Sequence, residues 1–275
     1  MHNIIHIDSL DVCELQPYRT MRRAVEHVRQ GIFVAETEKV VKRLLRSDLQ
    51  IVSLLLTDKW FDEIKDLIKL EVSDNLKIFV GEKKLLETIV GFGLHQGIMA
   101  VGKIPKSLTI EAVIAESAPP RLLVAVDGLT NSDNLGVIVR NCVAFGVTAI
   151  IVGETSSSPY LRRSVRMSMG AVFKLPIIHV SDLKNTLINL SSDHGTRCIA
   201  ADVHTDDRAI SDADLKGNIC IVFGSEGSGI GEQVLEVCPE RIKIPVTEEV
   251  DSLNVASASA VFLYEAWKRR KWNDR

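Results

Sequence analysis

The chain has 275 residues and a mass of 30.4 kDa, which at about 150 residues per domain accommodates just under two domains. Apolar residues make up 46% of it and charged residues 25%, enough core formers to exclude a disordered or low-complexity chain. Lys and Arg number 33 against 36 Asp and Glu, for a net charge of −3 and a pI of about 6.2. As a bulk number, this excludes a uniformly basic nucleic-acid binder.

The start, MHNIIHIDSLDVCE, has no basic stretch ahead of an apolar one, so no secretory signal is expected. The longest uncharged apolar stretches, such as Asn141–Gly153, fall short of the ~18 residues that cross a bilayer. The five cysteines (Cys13, Cys142, Cys198, Cys220, Cys238) are odd in number and never in CxxC spacing. They read as buried, reduced thiols rather than a disulfide frame or zinc site. The expectation is a cytoplasmic protein with neither a membrane nor a metal partner.

In chain order, Tyr18–Gln30 and Glu36–Arg46 read as helices, the second with Val40, Val41, Leu44 and Leu45 on one face. Leu49–Leu56 suits a buried strand, Asp58 can cap a helix through about Leu70, and Leu76–Val80, Glu82–Ile89 and Gly97–Ile104 complete a small α/β unit. Pro105 and the Pro119-Pro120 pair mark a linker. The expected division is therefore a domain over 1–104, a linker over 105–120 and a domain over 121–275. In the last of these, continuous apolar strands read at Leu122–Val126, Thr148–Val152, Leu175–Val180, Cys198–Val203, Ile219–Phe223 and Ile242–Val246. Helices are expected near Leu135–Phe145, Tyr160–Met169, Asp182–Leu190 and Ser252–Lys271. Apolar strands alternating with helices predict a mostly parallel sheet covered on both faces.

Three segments begin where a strand should end, the place where open α/β sheets bind ligands. In VDGLTNSDNLGVIVRNCVAFGV, Asn134 and Arg140 are less than two helical turns apart and can flank one pocket, although Asn131 to Asn134 would also serve simply as caps. In NICIVFGSEGSGIGEQV the glycines permit a tight turn but match neither G-x-x-x-x-G-K-[ST] nor G-x-G-x-x-G. Glu226 inside that turn would repel phosphate and suits a neutral or cationic ligand. In IKIPVTEEVDSLNVASASAVFLYEAWKRRK, Asp251 or Ser252 can cap a long helix whose first turns are small enough for another backbone to approach.

Together, N-x-G-x-x-x-R (Asn134, Gly136, Arg140), G-x-E-x-x-G (Gly224, Glu226, Gly229) and I-P…S-L-N-V (Ile244, Pro245, Ser252, Leu253, Asn254, Val255) resemble the motifs of the SpoU-type ribose 2′-O-methyltransferases of the SPOUT superfamily. Ser168-Met169-Gly170-Ala171 is similar to a fourth segment of that family. The resemblance implies a C-terminal domain with a mostly parallel sheet and a trefoil knot, a homodimer, S-adenosylmethionine as cofactor, and ribosomal or transfer RNA as substrate. It implies catalytic roles for Arg140, Asn134, Glu226, Ser252 and Asn254, and a cofactor site at Phe223, Gly224, Gly229, Ile244, Leu253 and Asn254. Ala256 stands where many members carry serine. The first half resembles, more loosely, the small α/β substrate-binding domains fused to such enzymes, through GIFVAETEKVVKRLL, with Thr37 where those domains usually carry glycine.

A guanidinium is effectively always protonated, so the expected role of Arg140 is to bind a phosphate and stabilise a developing alkoxide. Asn134 would orient that arginine or the ribose, and Glu226 and Asn254 would fix the arginine and the cofactor loops. The charge is also unevenly distributed. Pro17–Arg46 carries eight basic residues against three acids, Tyr160–Lys174 carries four against none, and Phe262–Arg275 five against two. An acidic chain can thus present basic surfaces, and Arg22, Arg23, Arg162, Arg163 and Arg166 are the expected RNA contacts. The competing readings are a nucleotide-binding α/β enzyme and a non-catalytic RNA-binding factor. His2 with His6, and Asp202-x-His204-x-Asp206-Asp207, read as ordinary polar surface rather than metal ligands.

Overall fold

A computed structural model describes residues 3–71, 76–89, 97–205 and 208–271. The chain divides into two compact units, Met1–Lys106 with Pro159–Lys174, and Ser107–Ser158 with Leu175–Arg275.

The first unit runs β1 (Asn3–Ile7), α1 (Gln16–Arg19), α2 (Ala24–Arg29), β2 (Ile32–Glu36), α3 (Glu38–Leu45), β3 (Ile51–Leu56), α4 (Asp58–Glu71), β4 (Lys77–Gly81), α5 (Lys83–Glu87) and β5 (Ile98–Lys103). Its sheet has the order β1-β4-β3-β5-β2. β1, β4 and β3 pair in parallel, and β5 pairs antiparallel with β3 and β2. The amphipathic α3 buries Val40, Val41, Leu44 and Leu45, the stripe expected from its spacing. The helix expected over 18–30 is instead two short ones. The Thr20 hydroxyl donates to Gln16 O at 2.8 Å and meets His27 Nε2 at 2.9 Å, diverting the chain between them. Thr37, at the entry to α3, has φ +77° and ψ 148°. This is backbone space that glycine occupies easily and a β-branched residue does not.

The second unit runs α6 (Ile110–Glu116), β6 (Leu122–Val126), α7 (Ser132–Ala144) and β7 (Ala149–Val152). After the segment that joins the first unit, which contains α8 (Arg162–Met167), it continues with β8 (Ile177–His179), α9 (Leu183–His194), β9 (Arg197–Ala201), β10 (Ile219–Phe223), α10 (Glu232–Leu235), β11 (Glu240–Ile242) and α11 (Val255–Lys271). All pairings of its six-stranded sheet, β11-β9-β10-β6-β7-β8, are parallel. β6 (LLVAV) and β10 (ICIVF) are buried at every position, as strands covered on both faces must be.

Two expectations are corrected here. The stretch expected as a linker contains α6, capped by Thr109, whose Oγ1 accepts Ala112 N at 3.2 Å, and it buries Val113 in the second unit's core. The last strand ends at Ile242 rather than Val246; Pro245, lacking an N–H, cannot extend a ladder.

Among the described residues no helix is long and apolar enough to cross a membrane, and no three His, Cys, Asp or Glu side chains gather as a metal site needs. His2, Asp206 and Asp207 lie outside the described residues. Cys13 is exposed, while the other four cysteines are buried.

Candidate active site

A cavity of about 600 Å³ opens at the carboxyl ends of β9, β10 and β11, within the size range of ligand sites. Its wall combines three chain segments: residues 201–204 after β9, the glycine-rich turn after β10, and the stretch from Ile242 into the start of α11. β10 lies between β9 and β6 although it follows neither spatial neighbour by a hairpin, so the cavity sits beside a reversal in strand order.

The turn is built tightly. Ser225 N donates to Gly229 O at 2.9 Å and Gly229 N to Ser225 O at 3.0 Å, closing a short antiparallel bridge. Gly229 has φ +66°. A Cβ on Gly224 would sit 2.1 Å from the Gly229 carbonyl carbon, so only glycine lets the two backbones cross. Glu226 is exposed at the tip of this bridge.

The third segment is fixed by asparagines. Asn254 Oδ1 accepts Ala256 N at 2.9 Å, capping α11. Asp251 and Ser252, the caps expected from sequence, are exposed cavity-wall residues instead. Asn254 Nδ2 also donates to Asn134 Oδ1 at 3.3 Å, joining the first and third motifs. α7 is capped by Asn131, whose Oδ1 accepts Asp133 N at 2.9 Å. It packs on α11, where Asn141 Nδ2 donates to Ala256 O at 3.0 Å and to the buried Ser259 Oγ at 2.9 Å. The small residues opening α11 admit this close approach. Asn141 was not singled out in the sequence; its only local signal is an amide directly after Arg140 in an apolar helix.

The structure thus places Phe223, Gly224, Glu226, Gly229, Ile244, Ser252, Leu253 and Asn254 on one cavity wall. Asn134 is linked to that wall through Asn254. Arg140 is exposed on α7, outside the lining, and its side chain has no hydrogen bond or ion pair among the described residues. The expected RNA contacts fall in the first unit. Arg162 Nη2 lies 2.8 Å from Glu36 Oε2, with the carboxylate only 3% and the arginine 15% exposed, and Arg166 Nη1 lies 3.6 Å from the same carboxylate. Arg22 and Arg163 are exposed and hold partners, and Arg23 sits 3.7 Å from Glu26. Phe33 stacks on Phe173, and Arg43 Nη1 donates to Met169 O, where the backbone turns left-handed through Met169 and Gly170.

Burial pushes the Cys198 thiol up to about 11 and the Cys238 thiol up to about 12. Neither is a thiolate nucleophile at neutral pH. The cavity offers backbone amides and carbonyls, apolar walls from Phe223, Ile244 and Leu253, the carboxylates of Glu226 and Asp251, and the side chains of His204 and Lys243, while Asp202 faces Arg241 at 3.9 Å.

The model of the SpoU rRNA Methylase family matches residues 121–264, more than half of the chain. This chain belongs to the SpoU rRNA methylase family. The family assignment extends to relatives over most of the chain. A 23S rRNA (guanosine-2′-O-)-methyltransferase RlmB of Vibrio cholerae is 33% identical over 219 residues, 78% of this chain and 86% of that protein. An uncharacterized tRNA/rRNA methyltransferase of Mycobacterium tuberculosis is 28% identical over 272 residues, covering 94% and 92% of the two chains. Among solved structures, the AdoMet-bound rRNA methyltransferase from Sinorhizobium meliloti has a TM-score of 0.81 at 22% identity, covering 97% of this SpoU-family chain and 98% of its own. The SpoU methyltransferase AviRb from Streptomyces viridochromogenes, in complex with AdoMet, has a TM-score of 0.79 at 21% identity, covering 94% and 98%. The shared fold is α/β with mostly parallel strands.

Proposed function

We propose that this protein methylates a ribose 2′-hydroxyl of RNA, ribosomal or transfer, with S-adenosylmethionine as methyl donor. The observation that carries this reading is the convergence of the three family motifs. The glycine turn and the Ser252–Asn254 segment form one cavity, and Asn254 bonds to Asn134 on the helix that bears Arg140.

The cavity fits the cofactor by its chemistry. Backbone groups and apolar walls suit an adenosine, and the lining carries both the exposed carboxylates of Glu226 and Asp251, which suit a cation, and Lys243, which suits a carboxylate. When bound, S-adenosylmethionine supplies a methyl group already activated by its sulfonium. The chain's own task is positioning. Phe223, Ile244 and Leu253 exclude water, and Ser252 and Asn254 hold the loop. Asn134, oriented by Asn254, positions the ribose. The uncommitted Arg140 guanidinium binds a backbone phosphate and stabilises charge developing on the 2′ oxygen while keeping its own proton.

The reading includes a trefoil knot, in which the chain leaving β11 passes through the loop between β9 and β10. Its support is that this loop is held from two sides. Lys243 N donates to Arg208 O at 3.0 Å and Lys243 O accepts from Ile210 N at 2.9 Å. From α11, Arg269 reaches the carbonyls of Ile210 and Ser211 at 2.8 and 3.0 Å, and Arg270 reaches that of Gly217 at 2.6 Å. It also includes a cytoplasmic homodimer formed through α7 and α11, supported by Val261 and Tyr264, which expose 36% and 45% of their surface on α11. The first unit serves as the RNA-binding domain, with Arg22, Arg23, Arg163 and Arg166 as its contacts.

Mapping of alkali-resistant ribose positions tests the reading directly. Incubation of unmodified ribosomal and transfer RNA with the protein and cofactor creates one such position. Methylation on a base, or none on either RNA, overturns it.

A further inference from the structure

The glycine-rich turn is gripped at both ends by one residue that does not line the cavity. At its entry, Asp127 N donates to Phe223 O at 2.9 Å, carrying the β6–β10 ladder one step past the strands. At its exit, Gly231 N donates to Asp127 Oδ2 at 2.7 Å. Between these points the turn is closed by the Ser225–Gly229 bridge and anchored by Ile230, which is only 7% exposed. A Cβ on Gly231 would stand 3.1 Å from the same carboxylate oxygen, a tight contact that glycine avoids.

We infer that Asp127 is a positioning residue that holds the turn after β10 in its ligand-binding shape, and through it sets affinity for S-adenosylmethionine. The inference rests on the cofactor assignment above. A charge-assisted hydrogen bond from a backbone N–H to a carboxylate is short and strong, and its donor ends the segment whose backbone forms the cavity wall. Without it, the segment from Ser225 to Ile230 keeps its internal bridge but loses its fixed placement against β6. Ligand binding then has to supply the ordering, which lowers affinity without touching the reacting groups. The bond needs an acceptor oxygen at this place, which an amide of the same shape still presents without the charge, so Asn keeps the grip in a weaker form.

The test is calorimetric titration of S-adenosylmethionine into the intact protein, together with steady-state methylation at saturating cofactor. Asp127→Ala raises Kd by at least about tenfold, equivalent to about 1.4 kcal/mol, while kcat at saturating cofactor stays within about twofold. Asp127→Asn, which still offers an oxygen without the charge, recovers part of that affinity. An Asp127→Ala protein with a Kd within twofold of the wild type overturns the inference, as does an Asp127→Asn protein as weak as Asp127→Ala. If Asp127→Ala does not fold, Asp127→Ser carries the test, since its shorter side chain falls short of the Gly231 amide. A several-fold rise in Kd supports the grip, and an unchanged Kd overturns it. A wild-type protein that does not bind the cofactor overturns the cofactor assignment instead. The grip is then read from hydrogen exchange at the Gly231 amide, slow in the wild type and fast in Asp127→Ala if it holds, equal in both if it does not.

Discussion

Arg140 on α7 and Arg162 on α8 look alike in the sequence, each a basic residue on a helix that also buries apolar side chains. In the structure they are opposites. Arg162 is 15% exposed and rests on the buried carboxylate of Glu36 at 2.8 Å, whereas Arg140 is exposed and uncommitted. Arg269 and Arg270, in the basic C-terminal run, behave like Arg162, since their guanidinium groups are taken up by backbone carbonyls of the β9–β10 loop and of Pro120 and Arg121. A run of basic residues therefore does not by itself mark an RNA surface. What distinguishes Arg140 is that the two asparagines on its helix are engaged, Asn134 with Asn254 and Asn141 with Ala256 and Ser259, while its own guanidinium has no hydrogen bond or ion pair among the described residues.

The contrast can be broken by substitution. The largest effect is expected at Arg140, where alanine lowers kcat by about a hundredfold or more, the usual cost of removing a group that stabilises transition-state charge, with no change in melting temperature. Arg162→Ala is expected to do the reverse. It leaves the Glu36 carboxylate buried without its closest partner and destabilises the first unit by about 3 kcal/mol, measured by urea denaturation. Replacing both members with leucine recovers most of that loss. If Arg162→Ala is as stable as the wild type, the two arginines are not opposites. A smaller effect of the opposite sign is expected at Thr37. Its φ of +77° carries strain of about 1–3 kcal/mol that glycine does not, offset in part by glycine's greater freedom when unfolded. Thr37→Gly is expected to raise stability by about 1 kcal/mol on the same denaturation assay. A loss on that substitution contradicts the strained placement.

The sequence was most legible where burial alone dictates structure. β6 and β10 occupy Leu122–Val126 and Ile219–Phe223, the limits of their continuous apolar runs. It was less legible where a single side chain redirects the backbone, as Thr20 does between α1 and α2 and Pro245 does after β11. α6 was not read from the sequence, because Pro105 and the Pro119-Pro120 pair marked the stretch as a linker. The cavity residues were legible because the motif glycines and the Ser252–Asn254 segment are contiguous stretches. Pairings across the chain left no such trace. The bond from Gly231 to Asp127 spans 104 positions, the bond from Asn141 to Ala256 spans 115, and the Arg162–Glu36 pair spans 126. No local pattern encodes these contacts. They separate a guanidinium that holds the fold, that of Arg162, from one with no side-chain partner among the described residues, that of Arg140.

The most direct measurement of the central claim is a comparison of wild type and Arg140→Ala in two assays on the same preparations, tritium transfer from methyl-labelled S-adenosylmethionine to RNA and calorimetric binding of the unlabelled cofactor. The account predicts equal cofactor affinity, because Arg140 lies outside the cavity lining, together with transfer reduced by about a hundredfold or more. Near-normal transfer by Arg140→Ala, or a loss of cofactor binding that explains the whole defect, would contradict it.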